Sequence, residues 1–257
     1  MKDRLSRLYL YLIFTFLYAP IIILIIYSFN ESKYRVWTKF SFKWYVELFQ
    51  NSQIMEALYN TLFVAVIAAI LSTIIGTAAA IGIESLKKWQ KNSVMNITML
   101  PVLNPDIVTG ISLMLLFYIC KLPTGLFTLV LAHMAFCIPY VILSVMPKLK
   151  QVNNTTYEAA LDLGATPALA TLKVTLPEIM PGVITGLLMA FTLSIDDFIV
   201  SYFTTGPGVE NLSILIYNAA KKGVSPSINA LSALMFAVIL ILLIIINIRT
   251  NKSEQKA

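Results

Sequence analysis

The sequence predicts an all-α integral membrane protein with six transmembrane helices, and three observations carry that prediction. Of the 257 residues, 58% are hydrophobic and only 12% charged, with a mean hydropathy of +0.79. A soluble domain carries about 25% charged residues, and half that charge cannot coat a water-facing surface. Apolar runs also recur at the length of a bilayer crossing, about 20 residues each. Finally, the net charge of +6 gathers in the segments between those runs, as positive charge does in cytoplasmic loops beside spans. The same arithmetic excludes a disordered chain, and it excludes nucleic acid as a partner in spite of the basic excess.

Each span can be justified in order. Lys2, Arg4 and Arg7 precede an apolar stretch over 8–29. Signal-peptide cores run about 7–15 residues and end at a small-residue cleavage site. This stretch is longer and ends in Tyr27-Ser28-Phe29-Asn30, so it reads as an uncleaved first span. The loop over 30–56 mixes Trp37, Phe40, Phe42, Trp44 and Tyr45 with basic residues. Such aromatics sit in the headgroup layer; the alternative is a docking surface for an outer partner. The second span, 57–82, carries Ala68, Ser72, Gly76 and Ala80 at four-residue spacing, a stripe that lets another helix approach closely. The third, fourth and fifth spans, 94–119, 124–146 and 178–203, carry Pro101, Pro105, Pro139 and Pro181, and the sixth covers 228–247. A proline frees a carbonyl that at membrane depth must be buried in protein or face a wet cavity. With the N-terminus inside, about 12 of the 19 Lys and Arg fall on the inner side, which places both termini in the cytoplasm. The outer exceptions are Lys33, Arg35, Lys39, Lys43, Lys121, Lys221 and Lys222. Cys120 and Cys137 lie in or beside apolar runs and read as small buried hydrophobes.

The loop over 147–177 on the inner side is patterned. Thr155 and Glu158 have capping-box spacing, with a short helix following through Leu163. Gly164 supplies the left-handed residue that ends helices. Thr166 and Pro167 start a second helix at its preferred cap and first-turn positions, and Leu176-Pro177 closes it. A surface helix lying on the membrane would satisfy that spacing as well.

The spans hold no Lys or Arg, yet they contain Asp106, Asp196 and Asp197. Acids at this depth face the bundle interior or a water pathway, and with no cationic side chain to pair them a cationic cargo fits. Helical spacing separates the two adjacent acids. Asp196 shares a face with Thr192, Met189 and Thr185, suited to a wet path, whereas Asp197 shares one with Leu193, Ala190 and Gly186, which reads as packing. Tyr140 and Phe136 could offer ring faces to an ammonium, or pack as aromatics. His133, the only histidine, has no acid at helical spacing and reads as a helix-packing hydrogen bond. No metal cluster, nucleophile constellation or acid–base pair stands out, so the chain does not read as an enzyme.

Glu158-Ala159-Ala160, then Gly164, then Leu176-Pro177, within EAALDLGATPALATLKVTLPEIMP, resembles the EAA loop of ABC importer permeases. Asn104-Pro105-Asp106-Ile107-Val108, the run Phe191 to Asp197, Thr205-Gly206-Pro207 and Gly223-Val224-Ser225-Pro226 extend the resemblance over nearly the whole chain, to the C-type permeases of spermidine/putrescine ABC transporters. The resemblance implies a type I ABC importer permease (MetI-like) fold in a bacterial plasma (inner) membrane. It implies a second, B-type permease subunit, a cytoplasmic ATPase dimer and an extracytoplasmic polyamine-binding protein as partners. The helix over 155–164 would couple to the ATPase through Glu158, Ala159, Ala160, Asp162 and Gly164, and the polyamine pathway would use Asp106, Asp196, Asp197 and Tyr140. ATP would be bound by the partner, since no GxxxxGK[ST] phosphate loop occurs here, and no other cofactor is expected. Rival readings are an importer permease for iron, thiamine or phosphate, and an ion-gradient-driven transporter using the same acids as proton sites.

Overall fold

The computed structural model describes residues 2–33, 36–222 and 226–254. Arg35 and Lys256 of the charge tally, and Gly223, Val224 and Ser225 of the run before the sixth span, lie outside the described residues. The elements are α1 (Lys2–Ser28), α2 (Lys43–Gln50), α3 (Ser52–Glu84), α4 (Lys88–Leu103), α5 (Asp106–Ile119), α6 (Leu126–Leu149), α7 (Asn154–Asp162), α8 (Pro167–Ala170), a π-turn (Thr171–Thr175), α9 (Leu176–Asp196), α10 (Ile199–Thr204), α11 (Leu212–Lys222) and α12 (Pro226–Glu254). Among the described residues, four stretches are long and apolar enough to cross a membrane: Tyr9–Ser28, Ser52–Glu84, Leu126–Leu149 and Pro167–Asp196. The expected sixth span lies within α12, whose apolar stretch runs Pro226–Ile241.

The expected third span is not one rod. α4 and α5 meet at a 104° bend, and Asn104 at the break is extended, with φ −76° and ψ 146°. A residue before proline is pushed out of the helical region by the ring of its neighbour, and Asn104 precedes Pro105. The expected fifth span breaks as well. α9 ends at Asp196, Asp197 is extended at φ −64° and ψ 125°, and α10 begins at Ile199.

The described helices form two compact units, Met1–Leu58 with Leu212–Leu242 and Tyr59–Asn211 with Leu243–Ala257. In the first, Trp44 and Leu48 of α2 pack with Ile54, Leu212, Leu215 and Leu231. Trp44 is therefore core rather than headgroup-facing. Its indole N–H donates to the Asn30 carbonyl at 2.6 Å, which satisfies the one polar group that would otherwise keep the ring wet. Phe40 and Phe42 beside it stay exposed, as does most of the apolar surface of α1.

The second unit is built around α6. Val141 is fully buried between two glycines: a Cβ at Gly76 of α3 would meet its Cβ at 2.8 Å, and one at Gly186 of α9 would meet its Cα at 3.2 Å. Gly182 of α9 lies equally close to the Ser144 carbonyl. The small-residue stripe of α3 is buried accordingly, with Ala68, Ser72 and Ala80 each at 0% exposure. Small residues let helix backbones close to contact where dispersion rather than water exclusion holds them. At the end of α10, the chain over 205–209 lies on the start of α6. Thr128 Oγ1 donates to the Thr204 carbonyl at 3.0 Å, and Gly206 leaves no room for a Cβ above the Thr124 carbonyl.

Candidate functional site

Both helix breaks of the second unit open onto one cavity of about 430 Å³. α4 contributes Pro101, α5 contributes Asp106 and Thr109, and α6 contributes Phe136 and Tyr140. Thr192, Leu193 and Asp196 come from α9, Asp197 and Phe198 from the second break, and Ile199 and Val200 from α10. The four residues expected on a pathway, Asp106, Asp196, Asp197 and Tyr140, thus line a single recess, with no Lys or Arg among its walls.

The three acids differ in how the chain uses them. Asp106 is the first residue of α5 and exposed, where the positive end of the helix dipole favours a carboxylate. Asp196 ends α9 and is exposed. Asp197 is half-buried and occupied: its Oδ1 accepts from the Val200 amide at 3.2 Å and its Oδ2 from the Ser201 amide at 2.7 Å. It caps α10, satisfying amide donors that a helix start leaves open. Ala190 and Gly186 below it are buried. On the Asp196 face the hydroxyls of Thr192 and Thr185 bond back to the carbonyls of Leu188 and Pro181, so they present oxygen lone pairs rather than free donors.

Behind the acids sits His133, 1% exposed. Its Nδ1 lies 2.6 Å from Ser194 Oγ, its Nε2 2.9 Å from Ser201 Oγ and 3.5 Å from Asp197 Oδ2. The hydrogen bond expected of this residue is present, and an acid partner comes with it from the break after α9. A search along the histidine's own helix misses that partner. The legible signal is on the other chain segment: Ser194, Asp197 and Ser201 stand at i, i+3 and i+7, one helical face.

The segment after α6 forms a second constellation. α7 is capped by Asn153 rather than Thr155. Asn153 Oδ1 accepts from the Thr155 amide at 3.0 Å and from its hydroxyl at 2.7 Å, so Thr155 stands inside the helix rather than at its cap and the expected capping box is replaced by the Asn153 cap. The helix ends as expected. Gly164 has φ +88°, its amide bonds the Leu161 carbonyl at 2.9 Å, and the Ala165 amide bonds the Ala160 carbonyl at 3.0 Å. Those two bonds make a Schellman motif. Glu158, Ala159, Asp162 and Gly164 are exposed, with Ala160 half-buried beneath them. Leu163, which the sequence does not single out, projects at 89% exposure.

Thr166 caps α8, with the Leu169 amide donating to its Oγ1 at 3.3 Å. The helix it starts does not close at Leu176-Pro177, however. It runs on through the π-turn into α9, and the Leu176 amide reaches five residues back to the Thr171 carbonyl. In an α-helix the Pro177 ring would press on the Lys173 carbonyl and leave it without a donor; one wider turn relieves that without ending the helix.

Comparison with known proteins adds to this geometry. The profile of the family described as binding-protein-dependent transport system inner membrane component matches residues 72–251. The chain is 40% identical over 234 residues to the putrescine transport system permease protein PotI of Escherichia coli (strain K12), covering 88% of this chain and 83% of that protein. It is 36% identical over 251 residues to the spermidine/putrescine transport system permease protein PotC of Haemophilus influenzae, covering 97% and 98%. Among solved structures, a bacterial ABC transporter involved in the import of the acidic polysaccharide alginate matches with a TM-score of 0.70 at 19% identity, over 99% of this chain and 96% of that one. That last likeness is one of fold.

Proposed function

The chain belongs to the family of binding-protein-dependent transport system inner membrane components, a multi-pass membrane permease rather than an enzyme, and from that membership we propose that it forms half of an ATP-driven import pathway for polyamines. The observation that carries the cargo class is the cavity: three carboxylates on one recess without a Lys or Arg in its walls. A polyamine is a flexible chain of ammonium groups separated by short apolar links. Asp196 and Asp106 would take ammonium groups in charge-assisted hydrogen bonds, and Tyr140 and Phe136 would face the links or the cations with their rings. Asp197 would add charge from behind while keeping its capping bonds.

The alginate importer of like fold is described in complex with a periplasmic protein. By analogy this chain would receive cargo from an extracytoplasmic polyamine-binding protein, pair with a second, B-type permease subunit and be driven by a cytoplasmic ATPase dimer, with both its termini cytoplasmic. α7 would seat on the ATPase with Glu158 and Asp162 offering charge, Ala159 and Ala160 allowing close approach, and Leu163 serving as an apolar anchor. Gly164 fixes the direction from which the helix enters.

The test is uptake of labelled spermidine into cells lacking this chain, with and without the chain restored. Uptake should return with the chain, stop when ATP is depleted and persist when the proton gradient is collapsed. Loss on collapse of the gradient with ATP intact would replace the reading with a secondary transporter. Uptake indifferent to the chain would remove polyamines as the cargo.

A further inference from the structure

The imidazole of His133 touches both sides of the second helix break. Ser194 lies on α9 before it, Ser201 on α10 after it, and Asp197 is the break itself. The proton pattern follows from one further bond: Ser201 Oγ donates to the Asp197 carbonyl at 3.3 Å. With its one hydrogen given to that carbonyl it accepts toward His133, and the network then assigns the ring proton to Nε2. In the neutral ring Nδ1 is then the acceptor, for the Ser194 hydroxyl. The ring at 1% exposure leaves water no access to replace either bond, and a buried polar group deprived of its partner is destabilised by the full desolvation penalty.

We propose that His133 is a positioning residue of the cavity: bridging α9 to α10 from α6, it sets the angle of the break and so the direction in which Asp196 presents its carboxylate. The inference deepens the reading above and rests on it for the cargo. Its geometric content stands apart, because Asp196 is the residue immediately before the break, exposed, and makes none of the bonds that hold the break in place.

Two conservative variants divide the ring's two contacts. His133→Asn places an amide oxygen near the Nδ1 position and keeps the Ser194 bond, but reaches nothing beyond. His133→Gln places an amide N–H near the Nε2 position and keeps the Ser201 and Asp197 side. The first readout needs no cargo. In the assembled transporter carrying Cys120→Ser and Asp196→Cys, the rate at which a cationic methanethiosulfonate labels position 196 is compared across wild type, His133→Gln and His133→Asn. The expected result is a rate held within about twofold by His133→Gln and changed about tenfold by His133→Asn, the factor that leaving one buried polar group unpaired corresponds to. With native Asp196, the spermidine KM should follow the same order while kcat and the melting temperature stay level between the two variants. Equal labelling in all three proteins, or equal change in both variants, overturns the positioning role. Divergent labelling, together with no spermidine uptake by the complex that keeps native Asp196 and native His133, keeps it and sinks the cargo instead. If neither variant assembles, Ser201→Ala removes the hydroxyl that receives the Nε2 proton while leaving the Asp197 cap in place. Unchanged labelling there overturns the proposal too.

Discussion

At the scale of single residues, Gly164 and Asp196 are the most informative positions. Gly164 is held at φ +88° with open space where a Cβ would stand, so a substitution there meets backbone strain and no clash. Non-glycine residues in that region are strained by about 1–2 kcal/mol, with asparagine the tolerated exception. Gly164→Asn should therefore retain most of the uptake, whereas Gly164→Val should lose most of it at normal protein level. Parallel measurement of uptake and ATP hydrolysis checks this, and equal behaviour of the two variants would show that the left-handed turn does not matter to coupling. Asp196→Asn keeps shape and removes charge, and it should raise the spermidine KM by about tenfold or more, the equivalent of a lost charge-assisted bond. An unchanged KM with normal assembly would remove Asp196 from the cargo pathway. These two positions were legible from helix periodicity and turn chemistry. The partners of His133 were not, because they come from α9 and α10, and no spacing along one helix encodes what a neighbouring helix brings.

At the scale of elements, two prolines change the helices in different ways, while the break at Asp197 needs none. Pro105 breaks the third apolar segment and Pro177 only widens a turn, although each removes the same amide. The difference lies in what precedes them: Asn104 goes extended and ends α4, while Leu176 stays helical at φ −61° and ψ −44° and bonds one residue further back. A proline removes one amide and leaves the response to the surrounding packing: Pro101, Pro139 and Pro181 stay inside continuous helices. The π-turn amounts to one extra residue between α8 and α9, and it has a consequence for coupling. Deleting Val174 should let the segment close as an α-helix, turning everything before it by about 100° relative to α9, the rotation per residue of a 3.6-residue turn. α7 would then face the wrong way. The expected result is a protein that inserts and assembles in the membrane fraction but shows about a tenfold or greater fall in uptake per transporter. Uptake at the wild-type level would mean that the direction of α7 is not set through α9.

At the scale of the whole molecule, composition and motif divide the labour plainly. The sequence holds no GxxxxGK[ST] phosphate loop, so the purified permease should release phosphate from ATP only at background, and activity should appear when ATPase subunits are added. Hydrolysis by the chain alone would contradict the membership on which the functional reading rests. The membrane class, the small-residue faces and the glycine turn that ends α7 were readable from composition and spacing, whereas the cap of α7 was not, since Asn153 takes the place expected of Thr155. Trp44 was not: an aromatic beside lysines looks interfacial until the Asn30 carbonyl that receives its N–H is known. The two broken helices have one more consequence, and it is electrical. Acids at membrane depth face water or the bundle interior, and water at the recess would move the edge of the insulating layer inward, so that the membrane voltage would fall across fewer residues beyond it. Each charge that crosses the full voltage is worth about 2.3 kcal/mol per 100 mV. On the proposed import of polyamines, a tricationic cargo drawn toward a negative interior from such a recess would gain several kilocalories over a short distance, so the pathway would behave as a rectifier: the membrane potential would oppose the escape of cargo that ATP had already brought in.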